Sequence, residues 1–333
     1  MVHPPQRQAD RLLDALDPLP YPLRMRQLAG RARQLAAEGT LRPVLEELDG
    51  RGPYERGIAA VAAAVGRDAD WVAARLADPD DFVRGQALRV AGRLGVPDAA
   101  YEAALDDAPA AVRHQLVRAM VRDGRTALAE RMVDAVRDTW GDAEAVRLLP
   151  ICGHETVARL LPALFHAVHS WKALGARHPA LVLDAAEGEL AALPEALRDG
   201  WWQRNAHAVA SALDAEPLRV LGLLGRYAPT ALPLALRGRL GALAAADPAG
   251  VVRLLLGPGG YAIRRSGALR RSVLCRLARN APQQVVVELG RAMGQYTRDV
   301  ARLAMALPPA ERGPFWGSSP GKPKTRTEMI LKP

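Results

Sequence analysis

The most constraining feature of this sequence is a helix whose two ends are both marked and whose pattern returns along the chain. Residues 78–95 read DPDDFVRGQALRVAGRLG. Asp78 is a favourable N-cap residue, and Pro79 suits the first helical position because the N–H it lacks has no helical partner there. Apolar residues from Val83 to Leu94 follow the spacing of one helix face, and Gly95 is typical of a helix end. The stretch therefore predicts an amphipathic helix.

Two patterns recur with the spacing of helical repeats. In the first, a Val-Arg pair follows an aspartate by five residues, at Asp78/Val83-Arg84, Asp107/Val112-Arg113 and Asp247/Val252-Arg253. In the second, a proline precedes an apolar run, at Pro179, Pro217, Pro248 and Pro282, with steps of 38, 31 and 34 residues. Proline favours helix starts, and periods of this length are typical of stacked helical pairs. We therefore expect an all-α fold, an α-α superhelix over residues 1–307.

The N-terminal part predicts further helices at about 5–16, 22–37, 41–48, 54–65 and 70–77, separated by proline and glycine turns. The final stretch has a different composition. Residues 308–333 are rich in glycine, proline and serine, lack helical periodicity and hold three of the four lysines. We expect a disordered or loosely ordered basic tail there.

The residues of the helix predicted at 78–95 resemble those of a known repeat family. This helix resembles the second-helix signature of HEAT repeats, including the bacterial HEAT-like type. The matching residues are Asp78-Pro79, Val83-Arg84, Ala87, Ala91 and Leu94-Gly95. The resemblance covers about residues 70–125. It implies a solenoid in which aspartate and arginine form a ladder between neighbouring repeats. The residues in those places are Asp78, Arg84, Asp107, Arg113, Asp247 and Arg253.

Composition sets the cellular context. Arginine provides 41 of the 45 basic residues, which together with abundant alanine and glycine indicates a GC-rich, bacterial genome. The two cysteines, Cys152 and Cys275, form no disulfide framework, and the N-terminus has no signal-peptide pattern. No apolar run is long enough for a membrane span. We expect a cytoplasmic protein without membrane contact.

Positive charge is concentrated in the last quarter, where residues 251–333 carry 15 basic and 4 acidic side chains, a net charge of +11. Five arginines fall within about 140° of one helix face, at 100° per residue. They are Arg264, Arg265, Arg271, Arg276 and Arg279. Two interpretations remain open. The stripe is either a polyanion-binding face, for nucleic acid above all, or a solvated helix face in an arginine-rich protein.

Two other clusters carry candidate chemistry. Four histidines lie near Cys152 in the sequence: His154, His166, His169 and His178. They could share a metal, but they lack the regular spacing of metal ligands. The alternative is that these histidines flank a groove. Trp201-Trp202 stands beside Asp199. Some HEAT-like proteins are alkylpurine DNA glycosylases, which use aromatic and acidic residues, and Asp199 with the tryptophans would be the corresponding group here. The alternative is a structural role, with one tryptophan in the core and the other packed between helices.

The sequence therefore predicts a non-enzymatic scaffold that binds a protein partner through a solenoid surface, with no catalytic site, metal or cofactor. The alternative is a nucleic-acid-binding HEAT-like protein, such as a glycosylase-like repair enzyme, that uses the basic C-terminal face.

Overall fold

The regular structure of the described chain is entirely helical, so the all-α prediction is confirmed. The computed structural model describes residues 5–105, 108–230, 232–256, 267–292 and 304–311. The chain divides into two compact units, Met1–Gly153 and His154–Pro333. Within the described ranges, no helix combines the length and the apolar character needed to cross a membrane.

The first unit follows the predicted helix order closely. Its helices are α1 (Pro5–Leu16), α2 (Tyr21–Ala37), α3 (Leu41–Asp49), α4 (Pro53–Gly66), α5 (Ala69–Ala74), α6 (Asp81–Leu94), α7 (Asp98–Leu105), α8 (Ala110–Asp123), α9 (Thr126–Trp140) and α10 (Asp142–Ala145), before a 3-10 turn at Leu149–Ile151. The predicted helices at 5–16, 22–37, 41–48 and 54–65 match α1 to α4 within a residue. The helix predicted at 70–77 ends earlier, because α5 stops at Ala74.

Helix α6 begins two residues later than the sequence predicts. Its N-cap is Asp80, whose carboxylate accepts hydrogen bonds from the N–H groups of Phe82 at 2.9 Å and Val83 at 3.1 Å. Asp78 lies in the preceding turn, where its Oδ1 accepts from the N–H of Asp80 at 2.9 Å. Of the neighbouring aspartates, Asp80 is the one placed to satisfy the first free N–H groups of the helix. The predicted end is confirmed, since Gly95 follows with φ of +67°, a conformation that suits glycine.

The helices of the first unit pack in two rows. In one row α2 contacts α4, α4 contacts α6 and α6 contacts α8. In the other row α1 contacts α3, and α5 contacts α7. Consecutive helices, such as α3 and α4, pack across the rows. Fully buried aliphatic side chains fill the space between them, among them Leu28, Leu45, Ala59, Ala87 and Leu116. Small core residues such as Ala59 and Ala87 allow close helix contacts, and the leucines fill the remaining space.

The second unit contains α11 (His154–Leu164), α12 (Lys172–Arg177), α13 (Pro179–Ala192), α14 (Glu195–Ala212), α15 (Pro217–Arg226), α16 (Leu234–Arg237), α17 (Leu240–Ala246), α18 (Pro248–Leu256), α19 (Gly267–Asn280) and α20 (Pro282–Ala292), with 3-10 turns at Phe165–Ala167 and Pro309–Glu311. The four prolines of the second recurring pattern are the first residues of α13, α15, α18 and α20, which confirms them as helix starts. These four helices also pack in sequence, α13 on α15, α15 on α18 and α18 on α20.

An aromatic cluster fills part of the second core. Trp201 and Trp202 are both buried. The Phe165 ring stacks on Trp201 at 6.0 Å and lies 4.7 Å from the ring of Trp171. The indole Nε1 of Trp202 donates to the carbonyl oxygen of Tyr227 at 2.7 Å. The tryptophan pair therefore anchors α14 to its neighbours.

Candidate functional site

Four even-numbered helices of the first unit carry an arginine at their fourth residue. They are Arg24 in α2, Arg56 in α4, Arg84 in α6 and Arg113 in α8. Each guanidinium donates to a backbone carbonyl in the stretch that leads into its own helix. The acceptors are Leu16 at 3.2 Å, Arg51 at 3.3 Å, Asp78, and Ala108 at 2.6 Å. Carbonyls at the end of a helix and in the turn after it lack the N–H partner that a helix interior provides, so these arginines hold the connection inside each helical pair.

The proposed ladder residues Asp78 and Arg84 meet through the backbone. Arg84 donates to the Asp78 carbonyl oxygen and forms an ion pair with Asp81. The buried carboxylate of Asp78 instead lies 3.3 Å from Nε of Arg56, which belongs to the preceding helical pair. An aspartate–arginine contact thus joins neighbouring pairs here, with Arg56 as the basic partner.

The other ladder positions are placed differently. Asp107 lies outside the described residues. Asp247 caps α18, where its Oδ1 accepts from the N–H of Gly250 at 2.8 Å. Arg253 lies 3.7 Å from Asp247 and 3.8 Å from the buried carboxylate of Glu288 in α20. Arg253 therefore contacts carboxylates at the start of its own helix and on the next helix of the row.

The predicted arginine stripe is described only in part. Arg264 and Arg265 lie outside the described residues, and Arg271 is placed in α19 without a description of its side chain. Arg276 and Arg279 also lie on α19, and both side chains are exposed. The structure therefore places two of the five arginines where an anion could reach them.

The histidine and tryptophan clusters each contain a side chain that joins separate segments of the chain. No group of three or more histidine, cysteine, aspartate or glutamate side chains in the described ranges is close enough to hold a metal ion. His166 pairs with Glu189 of α13 at 2.8 Å. Asp199, beside the tryptophan pair, accepts from the backbone N–H of Thr230 at 2.7 Å and from its hydroxyl at 2.5 Å. That carboxylate is engaged in holding the chain around residue 230.

A groove with a volume of about 400 Å³ crosses α2, α4 and α6 in the first unit; we call it the α2–α6 groove. Its apolar lining consists of Tyr21, Met25, Tyr54, Ile58, Val61 and Phe82. Tyr21 is 63% exposed and Phe82 is 51% exposed, which is unusual for large aromatic side chains. Exposed aromatic side chains at the edge of an apolar groove are typical of interaction sites.

The floor of the groove depends on a glycine in α4. A Cβ atom at Gly57 would lie 2.6 Å from Cε1 of Phe82, well inside van der Waals contact. The glycine therefore lets the Phe82 ring of α6 lie directly against the backbone of α4. This contact keeps the ring at the surface, between the two helices.

The charged lining of the groove is basic. Arg24 and Arg89 line it, and no carboxylate does so among the described residues. The guanidinium of Arg24 lies 5.8 Å from the centroid of the Tyr54 ring. At the edge, the hydroxyl of Tyr54 donates to Asp17 at 3.1 Å. Burial and this hydrogen bond raise the pKa of Tyr54 above its usual value of about 10, so the hydroxyl remains neutral at physiological pH.

A second groove, of about 530 Å³, lies along α7 and α9. Its charges are already neutralised within the fold. Arg131 pairs with Glu102 at 3.0 Å and with Asp98 at 3.1 Å, and both Arg131 and Glu102 line the groove. The α2–α6 groove combines exposed aromatic rings with basic side chains that have no carboxylate partner among the residues that the structure describes. Of the two grooves, it is therefore the candidate site.

Sequence reasoning missed the aromatic residues of the α2–α6 groove and two of the recurring arginines. A local signal was present, because an aromatic residue precedes the arginine by two positions in Tyr54-Glu55-Arg56 and in Phe82-Val83-Arg84. In both helices the arginine turns toward the connection and the aromatic ring toward the groove. Known proteins add no assignment: no family model matches this chain, and neither a curated protein nor a solved structure is significantly similar to it.

Proposed function

We propose that this chain is a non-enzymatic protein-interaction scaffold whose helical pairs stack as a HEAT-like α-α superhelix. The two rows of the first unit support the stacking, since each helix contacts the helix two places further along in the α2–α8 row. The proline-started helices of the second unit support it in the same way. Stacked pairs of this type present extended surfaces that suit protein partners.

The α2–α6 groove is the observation that carries the proposed function. It lies across three successive helices of one row, where a bound segment would contact three helical pairs at once. Tyr21 and Phe82 supply large, exposed aromatic surface, and aromatic residues in such positions provide much of the binding energy at protein interfaces.

Selection from a random peptide library displayed on phage, with the full-length chain immobilised, tests this proposal. We expect reproducible enrichment of a set of related sequences, because a preformed groove selects for side chains that fill it. Phe82→Ala should reduce the affinity of the enriched peptides by about tenfold or more, the loss typical of an aromatic anchor. Leu234→Ala provides the matched control, since Leu234 is 81% exposed and lies on α16 in the second unit.

Two results would contradict the proposal. One is a selection that enriches no sequence over the empty support. The other is a set of peptides whose binding is reduced equally by Phe82→Ala and Leu234→Ala, because the groove would then have no special part in binding.

The exposed arginines of α19 favour nucleic-acid binding as a second candidate function. Arg276 and Arg279 are open to solvent, and residues 251–333 carry a net charge of +11. Under this candidate, the chain binds a DNA duplex at low salt, and Arg276→Glu/Arg279→Glu weakens that binding. The slope of log affinity against log salt concentration should fall by the amount that corresponds to about two phosphate contacts. The charge-matched control is Arg33→Glu/Arg204→Glu, at exposed sites on α2 and α14. Absence of DNA retention at low salt removes the candidate.

A further inference from the structure

From the charges around the α2–α6 groove we infer the class of its partner: an acidic peptide segment with apolar anchor residues, in a partner protein. This inference rests on the proposed function above and specifies what the same groove selects. The apolar lining requires apolar side chains in the bound segment, and the basic lining requires carboxylates beside them.

The basic side chains follow the helix row. Val61 and Arg89 are the ninth residues of α4 and α6, and both line the groove. Arg118 is the ninth residue of α8, the next helix in the same row, and its side chain is exposed. Equivalent positions on stacked helices lie along one face. Arg89 at the groove and Arg118 on the next helix therefore form a basic strip on α6 and α8, beside the apolar lining.

These basic side chains have no acidic partner in the portion of the fold that the structure describes. In the described part of the chain, neither Arg89 nor Arg118 forms an ion pair with a carboxylate; Arg89 donates only to the carbonyl of Gly85 in its own helix, at 3.3 Å. Arg131 in the second groove shows the contrasting arrangement, with two carboxylates within 3.1 Å. Charge complementarity therefore favours a segment that brings its own carboxylates.

The dimensions of the groove suit a short segment. Packed helices lie about 8–10 Å apart, so three helices of the row span about 20 Å. An extended peptide of about six residues covers that distance at about 3.3–3.6 Å per residue. Such a segment can place one apolar side chain between Tyr21 and Phe82 while a neighbouring carboxylate meets Arg89. The aliphatic side chains of Met25 and Ile58 favour this apolar anchor over a phosphate.

The same displayed library tests the inference when it is panned against three forms of the full-length chain. Against the wild-type chain, the enriched peptides should be net negative and contain at least one large apolar residue. Against Arg89→Glu/Arg118→Glu, the acidic bias should disappear, and individual acidic peptides should bind about tenfold more weakly. Arg7→Glu/Arg11→Glu is the charge-matched control, because both residues are exposed on α1 in the other row. It should retain the acidic preference.

The outcomes separate the inference from the proposed function. Peptides that depend on Phe82 but carry no net negative charge would overturn the inference and leave the protein-binding function standing. Equal loss of acidic peptides in both double variants would also overturn it, since the effect would then be one of net charge. Failure to enrich any peptide would remove the proposed function itself. Binding of single-stranded DNA that is lost in Arg89→Glu/Arg118→Glu would assign these arginines to nucleic acid instead.

Discussion

Replacing Trp202 with alanine should lower the free energy of unfolding of the second unit by about 3–5 kcal/mol, the range for removing a buried aromatic side chain. Trp202 has no exposed surface, and its ring meets the Trp201 ring edge to face at 5.3 Å. The change also leaves the Tyr227 carbonyl without the indole N–H donor. Urea unfolding followed by far-UV circular dichroism, with each transition fitted separately, measures the effect.

Two further variants make this expectation specific. Trp202→Phe keeps most of the apolar volume but loses the N–H group, so it should cost less than Trp202→Ala. Leu197→Ala lies on the same helix at a side chain that is 57% exposed, and it should change stability by no more than about 0.5 kcal/mol. A loss below about 1 kcal/mol for Trp202→Ala would mean that the aromatic cluster does not hold the unit together.

Replacing Arg84 with methionine should destabilise the first unit by about 2–3 kcal/mol. Methionine retains an unbranched apolar side chain but removes the guanidinium that donates to the Asp78 carbonyl. Hydrogen bonds from charged donors contribute about 1.5–3 kcal/mol, and Arg84 is buried, so water replaces this bond poorly. The neighbouring Asp81 contributes little, because it is well exposed and its ion pair is screened by solvent.

Arg89→Met is the matched control on the same helix. Arg89 is exposed, and the hydrogen bond of its side chain to Gly85 stays within α6, so the substitution should leave stability within about 0.5 kcal/mol of the wild-type chain. The measurement is the same urea titration. Similar losses for both variants would show that α6 responds to any change of charge and that the bond to the turn has no special importance.

The positions of most helices could be predicted because their ends are marked by residues with strong local preferences. Proline at 179, 217, 248 and 282 starts a helix in each case, since it lacks only an N–H that the first turn does not use. The start of α6 was misplaced because Asp78 and Asp80 are equally good caps by residue type. The backbone geometry of the turn decides which aspartate caps the helix, and the sequence alone does not show that geometry.

The α2–α6 groove could not be predicted in the same way. Tyr21, Tyr54 and Phe82 are separated by 33 and 28 residues, so only the packing of α2, α4 and α6 brings them together. In the sequence, each of these aromatic residues is an ordinary side chain near the start of a helix, with nothing to link it to the other two. The basic partner of the buried Asp78 is not predictable for a similar reason, because Arg56 lies 22 residues earlier and its contact is made between helical pairs.

The recurring arginine bonds of the first unit have a consequence for how the chain acquires its structure. Each joins residues that are at most eight positions apart: eight for Arg24, five for Arg56, six for Arg84 and five for Arg113. Contacts so close in sequence cost little loop-closure entropy and form early. During synthesis on the ribosome, each of these four helical hairpins can thus form its own turn contact soon after emerging, before the later helices exist to support it.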